Sequence, residues 1–317
     1  MNIKFLIKGF EDKKGEREKW EKLISKLLAT YIQDLGLSPN YLYDFIIAEE
    51  SQYEKGLKIH QEIRKHTHND SHHKYIKVIL HKKGNGETCA SLVVRREVME
   101  EILTAVKSEK KEWVYNELLY RYLLFHELGH CLDYQNRFAL SQERELDMKT
   151  FKLKSLFHFF SGILLDEFAA CAITSKVMTT GVFHNEINAA SDIARQKLDE
   201  LESIKDNYNG QPKQLFELAM TSASTFWLIL IPYVKLMGNK IDNKNISKFR
   251  MKVWKNGSPK IGVLLNELGK NMWELWKKYP KWDNVDLDFL YKIWNLLALE
   301  NGFRFMESPE GDGVYWR

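Results

Sequence analysis

The chain has 317 residues, 44% of them hydrophobic and 28% charged, a balance that excludes a disordered or fibrous protein and is enough for a substantial core. Its 47 basic and 43 acidic residues leave a net charge of only +4, and 36 of the basic residues are Lys, so nothing points to nucleic acid as a partner. Cys89, Cys131 and Cys171 are too few and too widely spaced for a disulfide framework and suit a reducing compartment.

The opening "MNIKFLIKGFEDKK" lacks an apolar stretch of the length a secretion signal needs. "NIKFLIKG" and "LYDFIIAE" read as strands, with a long amphipathic helix, "EREKWEKLISKLLATYIQDLG", between them. A second helix is expected over Tyr53–Lys65, followed by the polar "HTHNDSHH" with His66, His68, His72 and His73. Then come "KYIKVILHKK" and "ETCASLVVRR", strands joined through "GNG" as a hairpin.

From about Val98 the periodicity is helical, in segments near 112–136, 152–178, 186–206, 212–237, 261–278 and 285–300, broken at glycines and prolines such as Gly181, Pro212, Pro259 and Pro280. The longest apolar run, "FWLILIPYVKLM" at 226–237, is too short to span a bilayer and contains Pro232 and Lys235. The tail "FRFMESPEGDGVYWR" fits a short hairpin. The expected class is α+β: a small mixed sheet in an N-terminal lobe (1–110), a pair of site-bearing helices (111–180) and a helical C-terminal lobe (181–317), forming one continuous unit. A cytoplasmic protein with no membrane part is expected.

The stretch that carries chemistry is "FHELGHCLD" at 125–133. On a helix, His126 and His130 are four residues apart and project from one face, within reach of a single ion at about 2.0–2.1 Å from each nitrogen. Glu127 falls beside the first His, near such an ion without being its ligand, where a carboxylate can take a proton from metal-bound water. A catalytic zinc has three protein ligands, so a third must come from elsewhere in the chain. In "SLFHFFSGILLDEFAACAITS" (155–175) the only formal charges are Asp166 and Glu167, and buried carboxylates demand either a Lys or Arg partner or a metal ion. Glu167 is preferred, because "EFAAC" places small side chains one turn further along its face.

Here the sequence resembles the gluzincin-type zincin metallopeptidases, in which an HExxH helix is followed by a helix bearing a Glu ligand. "HELGH" matches the first element, and "EFAAC", 37 residues beyond His130, matches the second except at its last position, where Cys171 replaces an acidic residue. The resemblance covers about 112–178 and implies a zincin-like fold, one zinc ion per chain, a peptide or protein substrate, and hydrolysis by metal-activated water with Glu127 as general base. It also implies an acidic partner for a ligating His, for which Asp133 and Asp166 are candidates in place of Cys171. Cys171 is itself a possible thiolate ligand. An oxyanion-stabilising donor is required besides the metal: His184 is the first candidate, with Tyr134, His158 and Tyr208 as others. Substrate held as an added strand would use the edge presented by "KYIKVIL" or "CASLVV".

Two other readings stay open: a zincin-fold binding or regulatory protein that no longer cuts, and a zinc hydrolase of a non-peptide amide. The histidine cluster at 66–73 reads as a solvated turn, and the Lys-rich stretch 235–260 as a solvated surface. Trp273, Trp276, Trp282 and Trp294 are spaced like helix-packing anchors.

Overall fold

The computed structural model describes residues 1–7, 14–62, 75–107, 115–141, 152–177, 180–239, 249–250, 252–254, 259–282, 287–307 and 312–316. The class is mixed α and β, with helices dominant. The chain divides into two compact units, Met1–Phe138 with Lys176–Val182, and Ala139–Ser175 with Phe183–Arg317.

The first unit is built on four strands, β1 (Asn2–Leu6), β2 (Leu42–Ala48), β3 (Ile76–Lys82) and β4 (Thr88–Arg95), in the order β1-β2-β4-β3. β1, β2 and β4 run parallel, and β3 pairs antiparallel with β4. The parallel pair β1 and β2 needs a crossover, supplied by α1 (Lys14–Leu35). The hairpin turn between β3 and β4 closes through Gly86, whose φ of 85° is open to glycine and strained for other residues.

Alternation along each strand explains how both faces are covered. Phe5, Phe45, Ile47, Val78, Leu80, Leu92 and Val94 face a core with Trp20, Ile24, Leu28 and Tyr31 of α1, joined by Val98 and Ile102 of α3 (Arg96–Lys107). Leu124, Phe125 and Leu128 of α4 (Tyr115–Ser141) enter the same core and so fix the rotation of that helix. The opposite parity, Ile46, Ala48, Ile79 and Val93, packs under Tyr53 of α2 (Tyr53–Leu57). Strands buried on both faces read as near-continuous apolar runs, and each fully buried Ile, Leu or Phe contributes roughly 1.5–3 kcal/mol.

The helix expected over Tyr53–Lys65 is cut to Tyr53–Leu57. The chain turns at Lys58 and Ile59, and His60 drops onto the sheet, its Nε2 2.5 Å from Oδ2 of the fully buried Asp44. A short helix has little cooperative stability of its own, so one strong side-chain pairing overrides it.

The second unit is helical: α5 (Leu153–Thr174), α6 (Thr180–Asp206), α7 (Pro212–Gly238), α8 (Pro259–Trp276) and α9 (Asp288–Glu300), followed by the antiparallel hairpin β5 (Phe303–Met306) and β6 (Gly313–Trp316). α5 is apolar all round and almost wholly buried, as its sequence requires. By length and composition α5 and residues 213–238 of α7 are long and apolar enough to cross a membrane, beyond the run at 226–237; 83% and 56% of their most apolar windows are buried inside the protein. The tryptophans act as packing anchors: Trp294 stacks between Trp227 and Phe305 and donates from Nε1 to the Ala223 carbonyl at 3.0 Å. Trp273 and Trp276 meet the ring of Phe168 edge-on.

Candidate metal centre

α4 presents the motif on a buried face. His126 and His130 are 3% and 6% exposed, their rings are near-perpendicular at 83°, and their Nε2 atoms lie 3.1 Å apart. Two imidazole nitrogens each about 2.0–2.1 Å from one tetrahedral ion would stand about 3.3 Å apart, so the observed separation is close to what a shared ion needs. The Nε2 atoms of both rings converge on one another, as two ligands of a shared ion would. The ring of Tyr134 packs against His130 at 5.8 Å between centroids.

Glu167 of α5 completes the set. One potential ligand atom from each of His126, His130 and Glu167 lies within 4.8 Å of the others, and all three residues are buried. Among the described residues no other group of His, Cys, Asp or Glu meets that criterion. Two imidazoles and a carboxylate are a catalytic zinc donor set that leaves a position for water. The residues present therefore fit a divalent ion of the zinc type, while the donor set alone does not fix which metal.

Glu127 follows His126 in sequence and is 4% exposed. Its charge is felt nearby: burial pushes the Tyr53 phenol and the Cys131 thiol up, and the Glu127 carboxylate raises both further. The carboxylate expected from the motif to act as general base is thus buried, with Tyr53 and Cys131 kept neutral beside it.

The remaining expectations divide. Asp133 is fully buried and is gripped by Arg137 one turn along α4, through both Arg137 Nε at 2.6 Å and Nη2. Asp166 is buried beside Glu167. Cys171 is fully buried and outside any disulfide, and its Cβ lies against α7, where a Cβ added to Gly238 would stand 2.7 Å from it. Cys171 thus serves the α5–α7 contact. His184 lies in α6, and its side chain is outside the described residues. His158 packs against Phe157, and Tyr208 meets Trp316 edge-on at 5.0 Å.

The sheet order decides between the two candidate edges. β3, carrying "IKVILHK", is an edge strand, whereas β4 is enclosed between β2 and β3 and offers no free edge. The cluster at 66–73 and residues 240–248 of the basic stretch lie outside the described residues.

Two partners escape a reading of the sequence alone. Lys235 Nζ lies 3.2 Å from Glu167 Oε2, so the cationic partner considered for this carboxylate is present. Its signal is legible, since Lys235 is the single charge in "FWLILIPYVKLM". The other is a polar patch on the sheet face away from α4. His60 stacks on His81 at 3.8 Å, His81 Nε2 lies 2.8 Å from Ser91 Oγ, and Lys4 joins His60 on Asp44 at 2.6 Å.

No family model matches the chain, and comparison with curated proteins and with solved structures returns no match.

Proposed function

We propose that the chain is a zinc-dependent metallopeptidase of the gluzincin type, acting in the cytoplasm on a peptide or protein substrate. One observation carries the reading: two converging Nε2 atoms 3.1 Å apart, with a buried carboxylate from a distant helix within 4.8 Å. The adjacent Glu127 supports catalysis over mere binding, because a structural ion has no use for a base beside it. Three buried cysteines outside any disulfide suit a reducing compartment.

His126, His130 and Glu167 would hold the ion, the imidazoles neutral and the carboxylate ionised. When bound, zinc supplies Lewis acidity, making a coordinated water acidic near neutral pH and polarising the scissile carbonyl. Glu127 accepts the proton of the attacking water and returns it to the departing nitrogen. Its buried setting excludes bulk water that would compete for that proton. β3, the edge strand of the sheet among the described residues, is suited to align an extended substrate by strand addition.

The Lys235 contact favours a second reading, in which Glu167 belongs to a structural ion pair and the protein binds a partner without cutting it. Elemental analysis separates the two. Purified wild type is expected to carry about one zinc per chain, and His130→Ala and Glu167→Ala to lose most of it. Full zinc retention in Glu167→Ala would remove the carboxylate from the ligand set. Glu127→Gln is expected to keep the metal and lose about 10²–10⁴-fold in peptide turnover, the worth of a positioned acid–base group; turnover at the wild-type rate would end the peptidase mechanism. A hydrolase of a non-peptide amide would show the same metal and base dependence, with turnover only on non-peptide amides.

A further inference from the structure

Lys235 approaches Glu167 from within the helical core. Its side chain is 13% exposed and that of Glu167 is 10% exposed, so the contact is screened far less than a surface pair. The helices that carry them are in tight register. Three residues beyond Lys235, a Cβ on Gly238 would stand 2.7 Å from both the Cys171 Cβ and the Phe168 carbonyl oxygen, so only a glycine lets α7 lie this close to α5. The ammonium is thus delivered to the carboxylate by packed backbones on both sides.

With an ion at the His126/His130/Glu167 site, Glu167 would serve two cations with one negative charge. A carboxylate already offset by an ammonium in contact is a weaker ligand for a second cation, and the two positive charges repel across a short, poorly screened distance. An ammonium on a flexible four-carbon stem can share a carboxylate through one oxygen, whereas a guanidinium would claim both oxygens with its fork. The identity of residue 235 as Lys is thus matched to a carboxylate that must also face an ion.

We propose that Lys235 is a built-in competitor for the third ligand: it shares Glu167 with the bound divalent ion and sets how tightly that ion is held. The proposal rests on the metal-site reading, and names what tunes it. Removing the ammonium should tighten metal binding, which is opposite to the effect of merely loosening the α5–α7 contact.

The test is zinc affinity measured by competition with a chromophoric chelator, on full-length wild type, Lys235→Met, Lys235→Gln and Lys235→Arg. Lys235→Met and Lys235→Gln are expected to bind zinc at least about tenfold more tightly than wild type, and Lys235→Arg as weakly as wild type or more so. The chelator-stripped Met variant is expected to melt at a lower temperature than stripped wild type, since its buried carboxylate has lost a cation, and to gain more on adding zinc. Equal or weaker zinc binding in both neutral variants would overturn the proposal while leaving the metal site in place. Absence of zinc binding in wild type, with His130→Ala indistinguishable from it, would instead sink the metal-site reading and this proposal with it.

Discussion

Asp133 and Arg137 show how a single pair can anchor the helix that carries the motif. Both are buried, and their i, i+4 spacing lets the guanidinium fork meet the carboxylate on one face of α4. Removing one member of a buried pair leaves its partner charged in a poor dielectric. Arg137→Met is therefore expected to cost on the order of 3–5 kcal/mol in urea unfolding. The double variant Asp133→Asn/Arg137→Met should recover part of that loss, because neither group is then ionised. Equal destabilisation in the single and double variants would show that the charge of Asp133 is satisfied by other means. The spacing is visible in the sequence, yet the motif draws attention to Asp133 only as a partner for a ligating His; the competing Arg lies one turn away.

At the scale of elements, the α5–α7 contact is the most sharply defined. Backbone approach at Gly238 depends on a missing Cβ, so Gly238→Ala must push the Cys171 and Phe168 backbone away. Overpacking of this kind costs about 1–3 kcal/mol. The expected result is a lower urea midpoint at unchanged slope, with reduced zinc content as Glu167 is carried off on a displaced α5. Destabilisation without change in zinc content would show that α7 takes up the strain and α5 keeps its place. Among the described elements, the strands, the hairpins and most long helices fall within a few residues of where periodicity and glycine or proline breaks put them, whereas α3 falls in none of the expected segments and α6 begins at Thr180 rather than near 186. The shortened α2 fails for a reason local propensity cannot see, the pairing of His60 with Asp44 on the sheet.

For the molecule as a whole, two linkages to solution conditions follow. Adding stoichiometric zinc should raise the melting temperature, since a ligand that binds only the folded state stabilises it by mass action; no shift in wild type beside a clear shift in a known zinc protein would count against the centre. The second linkage is to protons. Burial, with His60 close by, pushes His81 down to about 4, against an ordinary value of 6.5. Asp44, Lys4, His60, Ser91 and Cys89 are the polar groups around it. Above pH 6.5 His81 is neutral folded or unfolded and contributes nothing. Below it the unfolded chain takes up a proton that the folded chain refuses, so stability falls between pH 6.5 and about 4. The loss should reach on the order of 2–3 kcal/mol, measured as urea midpoints across that range. His81→Gln is expected to flatten the slope, and an unchanged slope would assign the acid sensitivity to other groups.

Composition, periodicity and the motif spacing determined much by themselves. The α+β class, the pairing of two imidazoles on one helical face, the carboxylate of Glu127 next to them and the choice of Glu167 from a lone charged step in an apolar helix all rest on local rules: 3.6 residues per turn, alternation along strands, and the cost of burying charge. Tertiary structure decided what those rules leave open. It set which strand lies at the sheet edge, gave Glu167 both histidine neighbours and an ammonium, turned Cys171 toward Gly238, and gathered Asp44, His60 and His81 into a polar patch. Each of these joins residues far apart in sequence, and contacts of that kind are fixed by the packing of whole elements, about which the order of residues along a single helix or strand is silent.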